Sequence, residues 1–305
     1  MIKSILILLI FISFPSFAEY KGLKKLSKNN SFMDDKGNPY SIDKIIDKEN
    51  TLLLIWNHGS GPDNKTDQCK KKPKFGYEWE GAVIPAVLNL HNKKINGLTI
   101  KIYRLCSGVR GMSVNNQKKI RKLIKKSEKV DSYSELKQQK RQNIILDKAD
   151  EFLNNGFKKI ILVGYSAGGW ASLNLISRFS DKFKGAIVIN PAFAGPKIEW
   201  NKKFPEWGFF RDQQIDIFKQ KDSLNALLFA HSNDAFETPQ TLSFFKLFKN
   251  IEFIDYSELK PTNCNWADIG KKMSIENGHA IPQSSCFTNY IKENKYFIKY
   301  LESLF

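Results

Sequence analysis

Short apolar runs punctuate the chain at intervals that fit buried strands separated by helices. "TLLLIW" (51–56), "LTIKIYRL" (98–105), "KIILVG" (159–164), "GAIVIN" (185–190), "LNALLFA" (224–230) and "IEFIDY" (251–256) have the length and β-branched content of strands. Helical patterns fall at Gly81–His91, 135–154, Gly168–Phe179 and 239–249, with a last one over 289–303. The second of these runs into "NNG", a helix stop. Strands alternating with helices predict an α/β fold, a mostly parallel central sheet with helices on both faces. Residues 19–50 are polar and turn-rich and predict a peripheral segment of strands or an arm. Residues 197–214 break the alternation, carrying Trp200, Phe204, Trp207, Phe209 and Phe210 with no clean period. Two readings stand for this stretch: a small cap lining a substrate pocket, or a surface helix whose aromatics pack on the body.

The first 18 residues read as separate from the fold. Lys3 precedes "ILILLIFISF", and small Ser16 and Ala18 occupy the positions a signal peptidase reads. The run is short for a bilayer span, which needs about 20 apolar residues. The expectation is a cleaved signal peptide and an exported mature chain, periplasmic or secreted, with no membrane span. Four cysteines, Cys69, Cys106, Cys264 and Cys286, follow the signal. An even number in an oxidising compartment suggests two disulfides, with three pairings open.

Charge invites a different reading. The formal net charge is +17, one less without Lys3. The cations are nearly all lysine, spread along the chain, whereas arginine is the residue that grips phosphates and base edges bidentately. The densest run, "KKIRKLIKKSEK" (118–129), sets Ile120, Leu123 and Ile124 on one side at helical spacing. It reads as the solvated face of a helix, and no nucleic-acid partner is expected.

Candidate chemistry centres on "GYSAGG" (164–169). Gly164-Tyr165-Ser166-Ala167-Gly168 fits G-x-S-x-G between a buried-type strand and a helix start, the pattern of a nucleophile elbow. A sharp strand-to-helix turn forces the middle residue into a strained conformation and leaves no room for side chains two positions away. A serine hydroxyl needs a base and oxyanion donors. Of the four histidines, His91 falls in a predicted helix, His231 ends a strand, and His58 follows one in "HGSGP". His279, in the late loop "ENGHAI", is the expected base. Asp234, in "HSND" after a strand, is the expected acid, with Asp255 and Asp268 as rivals. The oxyanion donors are expected to be the N–H of Ala167 and that of Gly59 or Ser60, with His58 positioning the loop.

"HGSG", "GYSAGG", "HSND" and "NGHA", in that order and at strand ends, resemble the α/β-hydrolase superfamily over roughly 51–305. The likeness is to its dienelactone-hydrolase and prolyl-oligopeptidase-like branch. The elbow serine departs from dienelactone hydrolases, which carry cysteine there, and no N-terminal propeller precedes it. The resemblance implies hydrolysis of a small-molecule acyl substrate through Ser166, Asp234 and His279, without metal or organic cofactor. An ester is the expected bond, with an amide or peptide as the alternative and a non-catalytic binding protein as a second. Within that fold the favoured pairings are Cys69–Cys106, near the cleft, and Cys264–Cys286, bracketing His279.

Overall fold

The computed structural model describes residues 30–59, 83–107, 114–126, 137–200, 204–260, 264 and 278–305. The signal segment 1–18 lies outside them. The first strands are short: β1 (Ser31–Met33) and β2 (Pro39–Tyr40). Then come β3 (Thr51–Asn57), the single-turn α1 (Pro85–Leu88), β4 (Lys94–Ile95) and β5 (Leu98–Leu105). Helices α2 (Val114–Lys125) and α3 (Lys137–Asn154) lead to β6 (Lys159–Tyr165), α4 (Ala167–Arg178) and β7 (Gly185–Ile189). Next are α5 (Lys197–Trp200), α6 (Pro205–Lys219), β8 (Ser223–Ala230) and β9 (Lys249–Asp255). Helices α7 (Ser285–Asn294) and α8 (Tyr296–Ser303) end the chain.

The strands form one sheet in the order β2-β1-β5-β3-β6-β7-β8-β9, with β4 on β5. From β5 to β9 every neighbouring pair is parallel. Antiparallel β1 and β2 extend the β5 edge, so the polar stretch 19–50 contributes edge strands. β4 and β5 are joined by a tight hairpin with Asn96 and Gly97 both at positive φ.

Alternation along β3 shows how the sheet is buried. Leu53 and Ile55 face a core layer with Ile145 of α3, Trp170 of α4 and Phe210 of α6. Leu52, Leu54 and Trp56 face the other layer, with Val87 of α1, Phe287 of α7 and Leu301 of α8. Every β3 residue is buried, because helices cover both faces of a parallel sheet. The three layers hold the C-terminal ends of β3, β6, β7 and β8 at one rim, where the loops carrying the candidate site emerge.

Three expected helices differ in extent. Among the described residues of the pattern 81–91 only Pro85–Leu88 is α-helix. The pattern 239–249 yields a 3-10 turn, Ser243–Leu247, because Lys249 already pairs in β9. The pattern 289–303 is two helices, starting earlier because the Ser284 side chain accepts from the Phe287 N–H, and broken at Lys295, φ 56°. The described part of the lysine-rich run falls in and just after α2, with Ile120 buried and Leu123 and Ile124 packed on the core. The aromatic stretch forms α5 and α6. Phe210 is fully buried, while Phe204 and Trp207 stack on each other with ring centroids 4.1 Å apart.

Candidate active site

Ser166 stands between the end of β6 and the start of α4 with φ 55° and ψ −123°. A non-glycine residue there costs on the order of 1–3 kcal/mol, and it persists because its surroundings fix it. The Ser166 N–H donates to the Ile189 carbonyl, and the Ser166 carbonyl accepts from Trp170 and Ala192. The flanking glycines answer to close packing. A Cβ on Gly164 would lie 2.4 Å from the Gly168 carbonyl oxygen, and one on Gly168 would lie 2.0 Å from that of Asn57. Helix α4 therefore starts against the tip of β3, and the serine is held over the sheet rim.

His279 is the second residue of a 3-10 turn, Gly278–Gln283. Its Nε2 lies 2.9 Å from Ser166 Oγ and its Nδ1 lies 2.6 Å from Asp234 Oδ2. A carboxylate only accepts, so Nδ1–H donates to Asp234 and Nε2 is left to accept from the serine hydroxyl. Asp234 is fixed by its own loop, Oδ1 accepting from the Phe236 N–H at 2.8 Å. All three residues are buried. The Phe236 ring lies 4.3 Å from the imidazole and the Tyr165 ring 5.2 Å, which limits where the imidazole can turn.

The other histidines are occupied differently. His231 accepts the Asn233 N–H at Nδ1 and donates from Nε2 to the Leu259 carbonyl. His91 lies beside Tyr40, remote in the fold from β6. His58 is fully buried. Its Nδ1 donates to the Gly59 carbonyl at 2.5 Å and its Nε2 accepts from the Ser107 N–H at 3.2 Å. Burial, and then the Arg141 guanidinium, hold its imidazole well below the ordinary histidine range. Arg141 also donates to the His58 carbonyl at 2.7 Å. The loop after β3 is thus tied from both sides. Of the rival acids, Asp255 accepts from Ser257 in an exposed turn, and Asp268 lies outside the described residues.

Gly59 sits against Ser166, since a Cβ there would be 3.1 Å from Ser166 Cβ. Ala167 is the first residue of α4, where the N–H has no acceptor within the helix. Two backbone segments therefore flank the serine where charge would develop on a bound carbonyl. Ser60, the other expected donor, lies outside the described residues. Cys264 and Cys286 form a disulfide with Cα atoms 5.3 Å apart. Cys69, the expected partner of Cys106, lies outside the described residues. Among the described residues no group of histidine, cysteine and acidic side chains could hold a metal ion, and no helix is long and apolar enough to cross a membrane.

Several residues around the site occupy positions that no sequence motif specifies. Arg141 looks like any arginine of an amphipathic helix, and Asn190, Tyr165 and Tyr256 look like strand-end polar residues. Tyr165 Oη donates to the His279 carbonyl at 2.5 Å. Asn190 Nδ2 donates to the carbonyls of Gly278 and His279 at 3.1 and 3.3 Å.

Residues 152–280 match the family model described as alpha/beta hydrolase fold. Among solved structures the chain is similar to Est1E from Butyrivibrio proteoclasticus, with 13% identity over 89% of this chain and 98% of that one and a TM-score of 0.47. It is also similar to naproxen esterase (carboxylesterase NP) from Bacillus subtilis, with 12% identity over 89% and 92% of the two chains and a TM-score of 0.42. No curated protein sequence matches the chain.

Proposed function

We infer that this chain, part of which matches the alpha/beta hydrolase fold model, is an exported serine hydrolase of the α/β-hydrolase superfamily that cleaves a carboxylic ester through an acyl-enzyme. The observation that carries the reading is the hydrogen-bonded sequence from Ser166 Oγ through His279 to Asp234, at 2.9 and 2.6 Å, on a serine held at positive φ. Export is proposed from the N-terminal signal pattern and is supported by the Cys264–Cys286 disulfide.

In the proposed reaction Ser166 Oγ attacks the ester carbonyl carbon while its proton passes to His279 Nε2. Asp234 stabilises the imidazolium that forms. The tetrahedral oxyanion accepts from the Ala167 N–H and from a backbone N–H of the loop at Gly59 and Ser60. Collapse expels the alcohol, which takes the proton from His279. A water then attacks the acyl carbon, giving its proton to the same nitrogen, and Ser166 is restored as the acid leaves. No step needs a metal or organic cofactor.

The test is Ser166→Ala against a panel of p-nitrophenyl esters and aminoacyl amides. Loss of ester turnover with retained folding supports the reading. Undiminished ester turnover in the variant refutes it, and preference for the amides would move the assignment to an amidase with the same triad.

A further inference from the structure

Resting on the reading of His279 as the base, we propose that Asn190 is a positioning residue that sets where that base stands. Asn190 follows β7, and its N–H continues the sheet by donating to the Phe229 carbonyl at 2.9 Å. Its φ is 44°, a left-handed conformation in which asparagine is enriched. Its side chain is fully buried and points across the rim to the loop that carries His279.

The amide works as a two-sided connector. Nδ2 donates to the carbonyls of Gly278 and His279, and Oδ1 accepts from Tyr256 Oη at 2.9 Å. This assignment of the amide is fixed by chemistry: the flipped form would turn Oδ1 toward two carbonyl oxygens. Burial pushes the Tyr256 phenol well above its ordinary range, so it remains a donor throughout the pH range of an assay. Tyr165 Oη supplies a second donor to the His279 carbonyl. The Gly278 N–H donates to the Asn233 carbonyl, next to the acid. The backbone of the base is thereby pinned to the ends of β6, β7 and β9 and to the Asp234 loop.

Asp234 orients the imidazole ring, but it cannot fix the Cα from which the ring hangs. Without Asn190 the 278–279 peptides lose two of their donors and can rotate. A displacement of about 1 Å at the reacting atoms costs on the order of 100-fold in rate. The donors hold the backbone of the base, so the loss is expected to fall on kcat.

The test uses the full exported chain with Asn190→Gly, which keeps the backbone conformation and removes the amide, and Tyr256→Phe, which leaves the amide but frees its oxygen and also removes the Tyr256 Oη donor 3.4 Å from the Gly278 carbonyl. Ser166→Ala and His279→Ala run beside them. Asn190→Gly is expected to lower kcat on a p-nitrophenyl ester by about 10- to 100-fold with KM unchanged, and to slow fluorophosphonate labelling by the same factor. Tyr256→Phe is expected to show a smaller loss of the same kind. Wild-type kcat in a folded Asn190→Gly, or a rise in KM that accounts for the whole loss, overturns the proposal. Should Asn190→Gly fail to fold, Tyr256→Phe decides by the same criterion. An inactive His279→Ala beside full-speed Asn190 and Tyr256 variants overturns the positioning role alone, whereas a fully active His279→Ala overturns the assignment of the base and with it this role.

Discussion

Adding one methyl group at Gly168 would separate the parts of the site more than any other small change at the elbow. The new Cβ would sit 2.0 Å from the Asn57 carbonyl oxygen, 2.5 Å from its carbon and 2.7 Å from the His58 carbonyl oxygen. Cβ atoms essentially never approach closer than 3.0 Å, so α4 and the tip of β3 must part by about 1 Å. Both obstacles are backbone, and neither can swing aside. Forcing extra volume into a packed interior costs roughly 1–3 kcal/mol, and a shift of about 1 Å at the nucleophile costs on the order of 100-fold in rate. The same shift moves Ser166 away from Gly59. The assay pairs urea denaturation with turnover of a p-nitrophenyl ester for Gly168→Ala. Gly97→Ala is the control, because nothing lies within 4 Å of that site but its φ is +84°. It should lose about 1 kcal/mol of stability through backbone strain and keep full activity. A Gly168→Ala enzyme with wild-type stability and turnover would refute the close approach of α4 to β3.

Two further outcomes follow from the same structure. Replacing Cys264 and Cys286 by serine opens the bracket around His279; a crosslink spanning 22 residues contributes about 3 kcal/mol, so the urea midpoint should fall markedly and turnover should slow, and an unchanged midpoint would contradict it. Acidification should destabilise the fold through His58, whose imidazole is held well below 6.5: between that folded-state value and 6.5 the unfolded chain carries a proton that the native protein does not, so stability rises with pH across this window and is lost as pH falls through it, by at most about 1.4 kcal/mol per pH unit for this one group. His91 and His231, also lowered by burial, act in the same direction. Urea midpoints at pH 7.5 and 5.5 check this, and a flat or inverted trend would refute it.

The sheet was legible because each central strand is a continuous apolar run, a direct consequence of burial on both faces. β3, β5 and β6 fall where the hydrophobic pattern predicts them, within one residue. Helix ends were less legible, since they are decided by local contacts that no periodicity carries. The Ser284 cap and the left-handed Lys295 split the last helix. Around Ser166 the glycines were readable because close backbone approach admits no other residue. The histidine that stands 2.9 Å from Ser166 Oγ is the one singled out by elimination among four and by its place after the last strand. The supporting layer was not. Asn190 meets His279 across 89 positions and Arg141 meets His58 across 83, and such pairings leave no spacing to read.

The central claim is that a strained serine is activated by a histidine arriving from the end of the chain. Fluorophosphonate labelling of the folded protein, followed by peptide mapping, tests it most directly. The account predicts stoichiometric modification of Ser166, slowed by orders of magnitude in His279→Ala. Modification at another serine, or labelling of Ser166 that proceeds at the same rate without His279, would contradict it.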